Sequence, residues 1–210
     1  MRVYFVRHGE SVSNAGVDLQ NIGAGGDALT ELGWKQAGQL GQRLAGQKFS
    51  RIYVSAMRRA QETAAAIAEH VDAPIRFFPE IHEIVRTSRE YQDRTVENRL
   101  RHFIEYFDRM AELPPDAPIE DGESFNEITG RGRRLLDALL ADEPADGSVL
   151  VVSHGGFLRF LLGISIFGDG FSPQHVTPFM KIGTINTGIS EFELSRERFR
   201  LITWMDQAHL

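Results

Sequence analysis

Two histidines in the chain each follow a short β-branched run and precede glycine: His8 in "RVYFVRHGE" and His154 in "SVLVVSHGG". Arg7 adjoins the first, and a further pair, Arg58 and Arg59, stands in "SAMRRAQETA". Positive charge beside an imidazole lowers its pKa and keeps it neutral near pH 7. A neutral imidazole is a nucleophile. Planar guanidinium forks match phosphate oxygens two at a time, and a glycine-bordered helix N-terminus after His154 offers backbone N–H groups to an anion. Such a set suits a phosphoryl group, whose equatorial oxygens carry the transition-state charge. A metal site is not expected: adjacent cations disfavour a divalent ion, and neither histidine sits in a spacing such as H-E-x-x-H. No cofactor is implied.

The elements that must position these residues are legible as an alternation. "RVYFV" precedes a helical pattern near Thr30 to Ala45, "RIYV" one near Ala56 to His70, and "IRFF" follows. Alternation of this kind predicts crossover units and a largely parallel sheet. Apolar residues at Leu100, Phe103, Ile104, Phe107, Met110 and Ala111 predict a middle helix, ended by "LPPDAP". A helix near Ser124 to Ala141, the buried strand "SVLVV", an apolar helix after Gly156 and two closing strands in "TINTGISEFEL" and "FRLITWM" complete the chain. Polar clusters stand at the carboxyl ends of four early runs: Arg7-His8, Ser55 to Arg59, His82-Glu83 and Ser153-His154. In open α/β sheets those ends line the ligand crevice. Ser55 is expected to cap its helix, which leaves two arginines in a first turn whose dipole they oppose by about 0.3–1 kcal/mol each. A bound anion would reverse that cost; pairing of one arginine with Glu62 is the other reading.

Composition narrows the function. With 210 residues, 42% of them hydrophobic, the chain is long enough for one large α/β domain spanning 1–210. A net charge of −6 offers no basic surface for nucleic acid or an anionic membrane. The absence of cysteine removes disulfides and thiolate chemistry. The start lacks a signal-peptide pattern, and the longest apolar stretch, "FLRFLLGISIF", is broken by Arg159 and too short to span a bilayer. A cytoplasmic location is expected, with no prediction of oligomeric state.

The series "RHGESVSN", "DALTELGWKQA", "SAMRRAQETA", "EIHEI", "DGESFNEITGR" and "VVSHGG" resembles the ordered motifs of the histidine phosphatase superfamily, the phosphoglycerate mutase-like family. The likeness runs from Met1 to about Phe160. It implies a three-layer α/β/α sandwich on a mixed, mostly parallel sheet. It further implies that His8 becomes phosphorylated, that Arg7, Arg59 and His154 bind phosphoryl oxygens, and that Asn14 and the Gly155 backbone contribute lesser contacts. Glu83 falls at the proton-donor position, preferred to Glu80, and as general acid and base needs a carboxyl pKa raised toward neutrality. Glu123 and Arg131 match family positions but read as a structural link. Residues 84–122 would form a helical insertion, a partial lid on the substrate side, where the sequence departs from the mutase pattern and offers Arg86 and Arg89 to a second anionic group. The activity so implied is phosphomonoester hydrolysis on a small molecule, with phosphoglycerate mutase as the alternative. His8's second ring nitrogen should be held by a backbone carbonyl.

Overall fold

The computed structural model describes residues 1–16, 27–86 and 96–210, the side chains of 96–100 excepted. Six strands are formed: β1 (Arg2–Arg7), β2 (Arg51–Val54), β3 (Ile75–Phe77), β4 (Ser148–Ser153), β5 (Ile189–Leu194) and β6 (Phe199–Asp206). Among the described residues the α-helices are α1 (Glu31–Leu44), α2 (Arg58–Ala68), α3 (Val96–Glu112), α4 (Phe125–Asp142), α5 (Gly155–Phe167) and α6 (Val176–Met180). The sheet order is β3-β2-β4-β1-β5-β6. β1 to β4 run parallel, while β5 is antiparallel to β1 and β6 to β5.

Successive side chains of a strand point to opposite faces, and in β1, β2 and β4 both faces are apolar. Val3, Phe5, Tyr53, Val149 and Val151 join one cluster with residues of α3 to α6. Val6, Ile52, Val54, Leu150 and Val152 join another with residues of α1 and α2. Helices thus cover both faces of a mostly parallel sheet, the three-layer arrangement expected. Full burial of each of these side chains contributes about 1.5–3 kcal/mol. α3 is drawn into the first cluster by Tyr106, Phe107 and Met110, whose period matches one helical face. Its Phe107 packs edge-on to Tyr106 and tilted against Phe160 of α5.

β4 is inserted between β1 and β2, so a chain that leaves β1 through α1 returns on the far side of β4. The carboxyl ends of three parallel strands therefore adjoin: His8 N donates to Ser153 O (3.0 Å) and Ser55 N to Val152 O (3.1 Å). Beyond β1, Gly9 packs so closely on α1 that a Cβ there would lie 2.6 Å from Gly33 O. Gly9 is thus required by helix packing rather than by room for a ligand. The first part of "TINTGISEFEL" is a turn, not a strand. Thr187 within it has a φ of 59°, and its amide donates to Arg7 O (3.0 Å), joining the turn to the end of β1. No helix among the described residues is long and apolar enough to cross a membrane.

Candidate active site

His8 is buried directly after β1, 2% exposed. Its Nδ1 lies 2.7 Å from Gly9 O, the backbone carbonyl expected to fix the tautomer. With Nδ1 as donor, Nε2 keeps its lone pair, and Arg59 Nε donates to it at 3.0 Å. Burial, then Arg59, His154 and Arg7, hold the His8 pKa well below 6.5, against a small opposing effect of the Gly9 carbonyl. The imidazole is neutral at physiological pH.

Arg59 enters from the first turn of α2. Its Nη1 pairs with Asp27 Oδ2 at 3.1 Å, and Asp27 is itself held by Ser13 N (2.9 Å) and the Ser13 and Ser11 hydroxyls (2.6 and 3.1 Å). Thr63, one turn on, accepts from Gly9 N (3.0 Å) and donates to Arg59 O (2.7 Å), tying the turn after His8 to α2. Arg58 points away and pairs with Glu62 at 2.7 Å. Ser55 is not the cap of α2, as the sequence suggested; Met57 occupies that position without a side-chain bond. Ser55 Oγ instead accepts from Met57 N (3.3 Å) and lies 2.8 Å from His154 Nε2.

Arg7, at the end of β1, donates from Nη1 to Thr184 O (2.9 Å) and from Nη2 to Asn14 Oδ1 (3.2 Å). Asn14 Oδ1 also accepts from Asn186 Nδ2 (3.1 Å), which donates to His8 O as well (2.9 Å). Arg7 Nε is buried with no acceptor. Burial pushes this guanidinium down to about 10, with Glu83 pulling the other way, so it stays charged at neutral pH. His154 is wholly buried, its ring centroid 5.1 Å from that of His8. Its Nδ1, like Arg7 Nε, is buried with no partner. Burial, then Arg59 and Arg7, keep it neutral too. Gly155, first in α5, admits Arg7: a Cβ there would sit 2.7 Å from Thr184 Oγ1 and 3.4 Å from Arg7 Nε.

Glu83 reaches the N-terminus of α5. Its carboxylate accepts from Ile84 N (2.9 Å), Phe157 N (3.1 Å) and Gly156 N (3.2 Å). Two of the helix amides expected to face an anionic ligand are thereby engaged by Glu83. Burial pushes this carboxyl up, but the Ile84 amide, Arg59, the Gly156 amide and Arg86 together hold it below the ordinary 4.5. The elevated pKa expected from burial is absent because the Ile84 and Gly156 amides, with Arg59 and Arg86, stabilise the charge. Glu80, the rival acid, is bound to Arg134 at 2.8 Å.

Glu123 and Arg131 form a two-pronged pair, with Nε–Oε1 at 2.7 Å and Nη2–Oε2 at 2.9 Å. Arg131 Nη1 also donates to the carbonyls of Glu80 and His82, and Val85 N donates to Glu123 Oε2 (2.8 Å). The pair grips the chain on both sides of Glu83. Arg86 lies over the Phe103 ring, 5.1 Å from its centroid; Arg89 falls outside the described residues. Among the described residues no group of three or more His, Asp or Glu side chains is placed to hold a metal ion. Asp27, Thr63, Thr184 and Asn186 escaped the reading from sequence. Asp27 and Thr63 stand within the quoted motifs "DALTELGWKQA" and "SAMRRAQETA", and Thr184 and Asn186 within "TINTGISEFEL", but nothing in those stretches singles them out.

The arrangement places a neutral imidazole, two arginines, unpartnered buried nitrogens and a carboxylate at the carboxyl edge of one sheet. The chain is 32% identical over 215 aligned positions, covering all of it and 95% of the relative, to "Probable phosphoglycerate mutase GpmB" of Yersinia pestis. Among solved structures it is similar to YhfR of Bacillus stearothermophilus, with a TM-score of 0.76 at 24% identity over 99% of this chain and 98% of that one. A phosphoserine phosphatase of Entamoeba histolytica, solved in complex with 3-phosphoglyceric acid, aligns with a TM-score of 0.72 at 26% identity, covering 100% and 98%. The family model of the histidine phosphatase superfamily (branch 1) matches residues 3–207, and the chain belongs to that superfamily.

Proposed function

We propose that the protein is a phosphomonoester phosphatase working through a phosphohistidine on His8. The observation that carries this reading is the disposition of His8. Its Nδ1 is fixed on Gly9 O, its Nε2 accepts from Arg59, and buried, unpartnered nitrogens of Arg7 and of neutral His154 belong to the same cluster. Arg59 Nε, which caps the Nε2 lone pair in the free protein, transfers to a phosphoryl oxygen when substrate binds. Arg7 Nε supplies a second donor. With Ser55 donating to His154 Nε2, Nδ1–H of His154 supplies a third, and Asn14 and the Gly155 amide complete the cradle.

Nε2 then attacks phosphorus in line, and the P–O bond to the leaving alcohol breaks. Glu83 gives its proton to the departing oxygen, and as carboxylate takes one from the water that attacks phosphohistidine. Breaking the P–N bond releases phosphate and restores both groups. Glu83 ionises too readily in the free protein to hold this proton; a phosphoryl dianion beside it raises its pKa.

The test is phosphate release from aryl and alkyl phosphomonoesters by the wild type, His8→Ala and Glu83→Gln. His8→Ala should abolish turnover. Glu83→Gln should cost about 10²–10⁴-fold on alkyl esters and less on p-nitrophenyl phosphate, whose leaving group needs little protonation. Equal losses on both ester types would sink the role given to Glu83. The relationship to "Probable phosphoglycerate mutase GpmB" supports a second reading, a mutase. Interconversion of 3- and 2-phosphoglycerate dependent on added bisphosphate would favour it.

A further inference from the structure

α2 begins with two arginines and has neither an acidic residue in its first turn nor a capping side chain, so nothing in that turn offsets the charge of Arg59 at the positive end of the helix. The offset comes from Asp27, thirty-two residues earlier, whose Oδ2 receives Arg59 Nη1 at 3.1 Å. Both side chains are nearly buried, 11% and 13% exposed. Asp27 is held in turn: Oδ2 also accepts from the hydroxyls of Ser11 and Ser13, and Oδ1 from Ser13 N. The same turn carries Asn14, whose Oδ1 accepts from Arg7 Nη2. Asp27 thus joins Arg59 to the segment that holds Arg7.

On charge alone, an acid beside a phosphate-binding arginine weakens anion binding. Its contribution is geometric. A guanidinium is planar, with Nε and Nη2 along one edge and Nη1 at the opposite corner. In Arg59 that edge meets His8 Nε2 at 3.0 Å and the thioether of Met57 at 3.5 Å, a weak acceptor. Among the described residues the one carboxylate paired with this guanidinium is Asp27, and it holds the opposite corner. The Arg59 carbonyl is fixed by Thr63 Oγ1 at 2.7 Å, so the backbone and Nη1 are both anchored and the two-pronged edge stays turned toward His8. Such an edge takes two phosphoryl oxygens at once.

We propose that Asp27 is a positioning residue, which sets the plane of Arg59 so that its Nε–Nη2 edge receives the phosphoryl group. This assignment rests on the placement of that group at His8, but it is read by binding and needs no turnover.

The experiment is isothermal titration with inorganic phosphate of Asp27→Asn and Asp27→Ala, each made in the wild type and in Arg59→Lys. Both substitutions remove the same charge, but asparagine keeps an oxygen for Nη1 and alanine does not, so the ratio of their affinities isolates geometry. With Arg59 present, Asp27→Asn should bind phosphate about 10-fold more tightly than Asp27→Ala, the scale of a hydrogen bond to a charged group. Arg59→Lys keeps the cation but has no plane to set, and there the ratio should fall to about 1. A ratio near 10 in both backgrounds marks a merely structural Asp27, and a ratio near 1 in both marks a charge with no positioning role; either result overturns the proposal. Should Asp27→Ala fail to fold, Ser13→Ala, which deletes the 2.6 Å bond to Oδ2, gives the same reading: it should weaken phosphate about 3-fold in the wild type and leave Arg59→Lys unchanged, and equal losses overturn the proposal. Hydrolysis through His8 with a ratio of 1 spares the hydrolase reading, and the expected ratios without turnover do the reverse.

Discussion

The two buried histidines make stability depend on pH in a window that can be calculated. In the unfolded chain each titrates near 6.5; in the folded protein both are held well below that, first by burial and then by neighbouring guanidiniums. Below pH 6.5 the unfolded chain therefore binds protons that the native state refuses, and stability falls as pH falls. Above pH 6.5 the effect vanishes. At about 1.36 kcal/mol per pH unit on the full slope, one histidine accounts for a loss of about 1.9 kcal/mol between pH 7 and pH 5. The pair accounts for about 3.8 kcal/mol, a large part of the ~5–15 kcal/mol typical of a domain. Glu83 does not blur this window. Its folded pKa lies below 4.5, so its contribution is present above that value and is lost only at lower pH. Urea unfolding followed by far-UV circular dichroism, in phosphate-free buffers at pH 7 and pH 5, measures the difference. His8→Gln should lose up to about 1.9 kcal/mol less than wild type, His209, which is also held below 6.5, contributing alike in both proteins. Equal losses in the two proteins would refute the claim that His8 is held neutral.

Three further outcomes are expected. In Gly156→Ala the new Cβ would sit 2.5 Å from Glu83 Oε1 and 3.1 Å from Ile84 Cδ1. The carboxylate must then leave the α5 amides, and kcat on alkyl phosphates should fall about 10- to 100-fold, the scale on which misplaced groups cost rate; an unchanged kcat would show that the seat of Glu83 is immaterial. Arg131→Met leaves Glu123, whose side chain is 14% exposed, without its cation, and should destabilise the protein by about 3 kcal/mol, read as a lower urea midpoint at constant slope. Inorganic phosphate at a hundred times its dissociation constant should raise the unfolding free energy by about 2.7 kcal/mol, and His8→Ala with Arg59→Ala should lose most of that gain.

The sheet and helices were legible because their signals are local. β-branched runs with both faces apolar gave β1, β2 and β4, and Thr30 and Ser124 cap α1 and α4 at their expected starts. Strand ends carrying His8, Arg59, Glu83 and His154 were legible for the same reason, and the fold brings them to one edge. What escaped depends on contacts distant in sequence. Ser55 turned from a cap into a partner of His154, ninety-nine residues away. Glu83's pKa went down rather than up because burial came with the Ile84 and Gly156 amides and the charges of Arg59 and Arg86, which no pattern in "EIHEI" discloses. Asn186 and Thr184 act through a turn that reads as strand, since nothing local announces the positive φ of Thr187.

The central claim is that phosphate passes through Nε2 of His8. Rapid acid-free quenching of the wild type during turnover of a ³²P-labelled phosphomonoester, followed by peptide mapping and ³¹P NMR, tests it directly. The account predicts an acid-labile, base-stable label on the peptide containing His8, in the Nε2 isomer, because Nδ1 is engaged by Gly9 O at 2.7 Å. A label on Nδ1 or on another residue, or undiminished turnover in His8→Ala, would contradict it.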